Sequence, residues 1–325
     1  MSKIDINDIL QSKTWDLISK TYGDTPVLEM NLRQLEQVCR SYGFTKFLTE
    51  SKGQAKLAKT EKKLGILTVG VALAPYTLGN FKVDLCSSAT ISCKQSCVVY
   101  EGGNPAYIPN KQKAMVNRKG MLVDDPALFL AVYLRYIMLK SDYCIRKGVA
   151  LSNRFNIASD IIYENVLCNM GNFTTSFSNL VSHYCIKTSM PFDDDDTLVR
   201  VIPYDYTKHY DRMSEMAYHK VYSVTDHDVS KAETALGNGL SLAVVFDTPR
   251  GKPLPTEYKV GKYTLPVYDG DEHDYLPAHG REPHVVGLRF KHKAKHKKDK
   301  RVAVVAKHIL SGFVKMSTVD KTVGV

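Results

Sequence analysis

The chain of 325 residues carries 44 Lys plus Arg against 34 Asp plus Glu, a net charge of +10, and is 44% hydrophobic and 10% aromatic. That apolar content suits one large α/β domain or two ordinary ones and excludes general disorder. Its longest apolar stretch, 64–78, is too short to cross a bilayer and is interrupted by Gly65, Gly70 and Pro75, so no membrane partner is expected.

The opening MSKIDINDILQSKTWDLISK has no continuous apolar leader, which makes the cytoplasm the expected compartment. Residues 5–42 predict two amphipathic helices. Ile6, Ile9, Leu10, Trp15 and Ile18 fall near a 3.6-residue period in the first, and Asn31 is a natural N-cap for LRQLEQVCRSYG in the second. Residues 46–63, rich in Lys and poor in apolar residues, read as an exposed connector that closes an N-terminal helical segment, 1–63.

From residue 64 to about 250, strand-like and helix-like segments alternate, the rhythm of a parallel sheet with crossover helices. Strands are predicted at 64–73, 148–153, 198–203, 218–224 and 241–246. Helices are predicted near 111–120 and at 126–141, 160–170, 174–185, 208–216 and 229–236. Polar residues follow several strands, and reactive groups in such sheets gather at the carboxyl ends of strands. The expected fold is therefore α/β, a complete or partial α/β barrel over 64–250. Residues 251–325 turn rich in Pro, Gly and Tyr and predict an irregular, β-rich appendage with one strand at 283–290.

Seven cysteines and no export leader argue against a disulfide framework. Cys39, Cys144, Cys168 and Cys185 sit among apolar or helix-forming residues and read as small buried hydrophobes. Cys86, Cys93 and Cys97 instead cluster in CSSATISCKQSC, just after the first strand. Three soft thiolates on one short loop suit a metal. An iron–sulfur cluster with one open iron fits three cysteines, whereas zinc, the alternative, would want a fourth ligand. Unpaired thiols in a surface loop are the plain reading.

Four further constellations stand out. In LSNRFNIASDIIYEN, Asn153, Arg154 and Asn156 follow a strand, Ser159 is placed to cap a helix, and Asp160 and Glu164, four apart, would share a helix face for acid/base work or a cation; capping and surface charge explain the same residues. In Tyr204-Asp205-Tyr206-Thr207-Lys208, Asp205 and Lys208 suit a substrate phosphate or proton transfer, and Tyr204 and Tyr206 could stack on a base. The acidic stretch 269–274 fits a divalent cation or a tight turn. The run 291–301 carries six of the ten net positive charges; Lys291, Lys293, Lys295, Lys297 and Lys298 could neutralise nucleic-acid phosphates or form a solvated loop. Sequence patterns for P-loop, zincin and hydrolase-elbow chemistry are missing.

The string GILTVGVALAPYTLGNFKVDLCSSATISCKQSC, followed by LSNRFNIASDIIYEN, PYDYTK, LAVVF, YDGDEHD and VVGLRF, resembles the bacteriophage gene product 88 family over about residues 64–290. The resemblance implies a phage-encoded protein working in the cytoplasm of an infected bacterium, and implies no reaction. The cysteine loop and barrel layout is more loosely similar to radical S-adenosylmethionine proteins, which would add S-adenosylmethionine as a cofactor. The C-x6-C-x3-C spacing departs from their usual C-x3-C-x2-C. Two functions follow as expectations. One is a metalloprotein with an iron–sulfur cluster acting on a nucleotide or nucleic acid. The other is a non-catalytic protein that binds nucleic acid or a host protein during host takeover.

Overall fold

The computed structural model describes residues 3–51, 55–75, 78–79, 81–95, 97, 108–191, 198–225, 228–249, 251–290 and Lys315. Helices among them are α1 (Ile6–Gln11), α2 (Leu32–Ser41), α3 (Ala55–Leu64), α4 (Ile91–Gln95), α5 (Ile108–Asp124), α6 (Pro126–Lys147), α7 (Phe177–Ile186) and α8 (Val229–Gly237). The larger strands are β1 (Ile66–Val71), β2 (Ala150–Asn156), β3 (Tyr204–Thr207), β4 (His219–Ser223), β5 (Ser241–Phe246), β6 (Glu257–Val260), β7 (Tyr263–Asp269) and β8 (Val285–Arg289). The chain forms two compact units: Met1–Ser87 with Pro105–Asp205 and Met216–His219, and Ser88–Asn104 with Tyr206–Glu215 and Lys220–Val325.

In the first unit, β1, β2 and β3 lie side by side with β2 central, and both pairings are parallel. Helix α6 is held at both ends by local chemistry. Asp125 accepts from the Leu128 amide at its start beside Pro126, and Gly148, at φ +61°, turns the chain out of its last turn into β2. Its buried face joins an aromatic core of Phe47, Phe129, Tyr133, Phe155, Tyr163 and Phe177. Cys39, Cys144, Cys168 and Cys185 are buried in this core, and desolvation pushes each thiol up, Cys39 and Cys144 to about 11 and Cys168 to about 12. They are the small hydrophobes that their neighbours in sequence suggest.

In the second unit the order is β6-β7-β8-β5-β4. Only β6–β7 is an antiparallel hairpin; β7–β8, β8–β5 and β5–β4 are parallel. Helix α8, capped by Asp228, covers this sheet through Ala232, Ala235 and Leu236. The architecture is thus α/β with largely parallel sheets, and no helix among the described residues is long and apolar enough to cross a membrane.

Several expected elements take another form. The first helix stops at Gln11, and Trp15–Asp16 is a strand parallel to Leu167–Asn169, with the Trp15 indole donating to the Leu10 carbonyl at 2.8 Å. The lysine-rich connector contains α3, whose Leu57 is buried. Residues 160–170 are a 3-10 turn followed by a strand: Val166 and Cys168 are buried and Leu167 is exposed, an alternation of period two that a helix cannot satisfy. Asp160 and Glu164 therefore do not share a helix face. Residues 208–216 are also not helical, and the Met213 and Met216 side chains that mimic an apolar stripe there are exposed. The chain at 174–176 is a strand antiparallel to Leu167–Asn169, and α7 begins only after its cap Ser176.

Candidate functional site

Strand β2 runs further than its hydrophobic pattern suggests, so Asn153, Arg154 and Asn156 belong to the strand itself. As the central strand of its sheet, covered on both faces, it buries Ser152, Asn153 and Asn156 together with its apolar residues. Each buried polar group then needs a partner, supplied partly by the loop just after β2 and partly by Tyr133, the Ile202 carbonyl and Asp205, distant in sequence.

Asn156 is the hub. Its Oδ1 accepts from Ser159 Oγ at 2.8 Å and from the Ile161 amide at 2.9 Å; its Nδ2 donates to the Ile161 carbonyl at 2.9 Å and to Asp205 Oδ2. The same carboxylate oxygen accepts from Tyr218 OH at 2.8 Å. Asp205 is fully buried, so its carboxyl group is held by protein donors, these two among them, rather than by solvent. Ser159, expected as a helix cap, instead fastens the loop that follows β2. Asp160 is buried in that loop, its amide donating to the Leu85 carbonyl at 2.7 Å.

A second buried set lies beside it. Tyr133 OH donates to Asn153 Oδ1 at 3.0 Å, and Tyr163 stacks on Phe155 at 4.8 Å. Burial, with the Asp205 charge adding, drives both phenols well above their ordinary range, so they stay protonated as donors. Asn153 Nδ2, Tyr163 OH and Thr68 Oγ1 are buried with no hydrogen-bond partner among the described residues. Tyr204 is fully buried in this unit, Arg154 and Glu164 are half-buried, and Glu164 belongs to the 3-10 turn.

The cysteine segment meets strand ends in both units. In the first, Cys86 Sγ donates to the Ala158 carbonyl at 3.7 Å, and Asp84 accepts from the Cys86 amide at 2.9 Å. Residue 158 lies two past the end of β2. In the second unit, Ser88 Oγ lies 3.0 Å from His209 Nδ1, two residues past β3, and Thr90 Oγ1 lies 3.2 Å from Thr225 Oγ1, two residues past β4. Thr90 also accepts from the Cys93 amide at 3.3 Å, which ties the first turn of α4 to the same place. Lys208 joins the ends of its neighbouring strands by donating to the Ser223 carbonyl at 2.5 Å and to Ser223 Oγ at 2.9 Å. Tyr206 is half-buried in this unit.

Cys86 thus belongs to the first unit, and Cys93 and Cys97 to the second. Among the described residues, no group of three or more His, Cys, Asp or Glu side chains is disposed to hold a metal ion. The lysines at 291–301 lie outside the described residues.

One residue of the first-unit neighbourhood escaped sequence reasoning. Lys119 in α5 is fully buried, and desolvation pushes its ammonium down to about 8, against the opposing influence of Asp84 and Cys86. Its signal was a Lys flanked by Gly120, Met121 and Leu122 at the apolar end of a helix otherwise read as polar.

The acidic stretch 269–274 of the second unit has an internal countercharge. Arg289 Nη1 binds both oxygens of Asp269 at 2.8 Å and reaches Asp271 at 3.4 Å. Behind it His273, His279 and Tyr268 stack, with ring centres 4.8 and 5.1 Å from that of His279, and His284 meets His279 edge-on at 5.8 Å. Burial and the two histidines hold His279 down at about 4. Because the unfolded imidazole takes a proton near its ordinary 6.5, stability from this residue is complete above that pH. It falls as pH drops toward 4, by about 3 kcal/mol in all. Urea unfolding at pH 7 and pH 4.5 should show this loss, and His279→Phe should remove much of the slope; an equal slope in the variant would reassign it.

No curated protein and no solved structure matches the chain. A family model does, Gene product 88, over residues 47–307. The match extends beyond 64–290 on both sides and takes in the cysteine segment, both strand-end constellations and the basic run. It lends nothing to the looser likeness to radical S-adenosylmethionine proteins. With most of its length matched, the chain belongs to the gene product 88 family of bacteriophage proteins.

Proposed function

We propose that the strand-end region marked by the cysteine segment is the working centre of this phage protein, and that it acts on a nucleotide or nucleic acid. One observation carries the reading: in the first unit Leu85 and Cys86 fasten to the loop just past β2, and within the second Ser88 and Thr90 fasten just past β3 and β4, each at a carboxyl end of the kind where parallel sheets assemble their sites. In this reading Asn153, Arg154, Asn156, Ser159, Asp160, Asp205, Tyr206 and Lys208 shape or support the ligand pocket. Cys86, Cys93 and Cys97 would supply thiolates for an iron–sulfur cluster, with zinc as the alternative, only by drawing together from their arrangement among the described residues, in which they form no metal-holding group. When bound, the cluster would supply redox or Lewis-acid chemistry. A complete or partial barrel is part of the same proposal, since closure would bring the strand ends to one mouth; an experimental structure with an open strand order would count against it.

Anaerobic purification with iron and sulfide analysis, combined with native thiol alkylation, tests the cluster. Iron and sulfide in near-stoichiometric amounts, with Cys86, Cys93 and Cys97 protected from alkylation, is the expected result. Colourless protein without iron, sulfide or zinc, and with all three thiols rapidly alkylated, would defeat it.

The second reading, binding of nucleic acid without catalysis, is favoured by the concentration of charge at 291–301. Replacing Lys295, Lys297 and Lys298 with Ser should reduce the slope of log affinity against log salt for single-stranded nucleic acid by about 2. An unchanged slope removes the basic run from the interface.

A further inference from the structure

Arg118 in α5 is only 7% exposed, and its neighbours are carbonyls and the Phe44 ring rather than a carboxylate. Its Nε and Nη2 donate to the Lys46 carbonyl at 3.0 and 2.6 Å, and its Nη1 donates to the Ala72 carbonyl at 3.0 Å. A guanidinium has five N–H donors, so two have no acceptor in this set. Among the described residues no carboxylate pairs with it, and desolvation draws it down to about 10. A buried cation held by carbonyls and by the Phe44 ring 5.4 Å from its guanidinium carbon, with no carboxylate beside it, is an arrangement that a bound anion would strengthen.

Arg118 lines a pocket of about 560 Å³ in the first unit, a size suited to a small organic molecule. Phe47, Leu48, Met115, Tyr136 and Leu139 make its apolar lining, and the Phe47 and Tyr136 rings stack at 5.4 Å with planes 8° apart. Its rim is basic. Glu50 pairs with Lys140 at 2.6 Å and Glu36 with Arg40 at 3.6 Å, whereas Lys46, Lys111 and Arg146 are exposed and have no carboxylate partner among the described residues. The lining therefore offers a flat apolar body its contacts and leaves positive charge over for a head group.

We infer that this pocket is a binding site for a small organic anion with a flat apolar body, its charged group drawn by Arg118, Lys111 and Arg146. Arg118 would act as a binding residue that also ties the 46–47 segment to the end of β1. The site is formed by different side chains from those at the cysteine segment, and its test is independent of any metal.

Calorimetric titration of the full chain with 2-naphthoate, and with uncharged 2-naphthylmethanol of nearly the same shape, tests the inference. One naphthoate should bind per chain, about tenfold or more tighter than the alcohol. Ala114→Phe, which fills the pocket from α5, should abolish binding, and the exposed pair Lys111→Glu with Arg146→Glu should weaken it about fivefold or more at low salt while leaving the thermal midpoint near that of the parent. No binding, equal affinity for acid and alcohol, or unchanged affinity in Ala114→Phe would overturn the assignment. If Ala114→Phe fails to fold, unchanged affinity in the charge-reversed pair overturns it instead.

Discussion

Replacing Asn156 with Ala is expected to lower the free energy of unfolding by about 3–5 kcal/mol, among the larger losses that any single side chain of this protein should produce. The variant gives up four hydrogen bonds: those with Ser159 Oγ, the Ile161 amide, the Ile161 carbonyl and Asp205. Two consequences add. The loop after β2 loses its anchor, and the buried Asp205 carboxylate loses one of its donors while Tyr218 remains. Urea denaturation measures the sum. A double-mutant cycle of Asn156→Ala with Asp205→Asn separates the parts, with a coupling of about 1–3 kcal/mol expected for side chains in direct contact. A loss below about 1 kcal/mol would mean that the network contributes little to the fold.

Gly70→Ala should cost about 3 kcal/mol or more for a different reason. A Cβ built at Gly70 lies 2.1 Å from the Arg154 carbonyl oxygen and 3.0 Å from Ile157 Cδ1. The oxygen is backbone on the neighbouring strand and cannot swing aside. The clash falls where the β1–β2 register shifts between Val69 and Val71, and where Gly70 exchanges two hydrogen bonds with Thr49 at 2.7 and 3.1 Å. The bulge needs a residue without a side chain because two backbones approach it at once. Gly237→Ala is the matched control: nothing lies within 4 Å of its added methyl, so it should be neutral or slightly stabilising. Comparable losses at both positions would show that backbone freedom, not the close approach, sets the cost.

Both expectations concern residues at the margin of the proposed centre, which links stability to function. Asn156 shapes the loop whose Ala158 carbonyl receives Cys86. Loosening that loop should therefore raise the alkylation rate of Cys86 before it unfolds the protein, a readout obtainable under the conditions of the cluster test.

Much of the α/β alternation was legible in the chain. Val229–Gly237, Ser241–Phe246 and Val285–Arg289 form where apolar period and turn residues place them, because each has a single apolar face or run that one kind of element alone can bury. Asn31 caps α2 in a full capping box with Gln34 for an equally local reason. Residues 160–170 misled because Ile161, Tyr163 and Val166 fit a helical stripe nearly as well as an alternating one. Their choice was made by Trp15–Asp16 and Thr174–Ser176, strands that pair on either side of Leu167–Asn169.

The sequence by itself determined family membership, the cysteine spacing, the concentration of charge at 291–301 and the element types wherever a local pattern had one physical solution. Tertiary structure alone decided which polar residues are buried together. Asn156 meets Asp205 across 49 residues, Tyr218 reaches the same carboxylate, Cys86 reaches Ala158, and Arg118 is held by carbonyls from 46 and 72. No periodicity reports such meetings, since hydrogen-bond demand in a buried strand is met by whatever the parallel topology brings alongside. A charge total records Arg118 as one cation among 44 basic residues. Its desolvation arises only once α5 has packed.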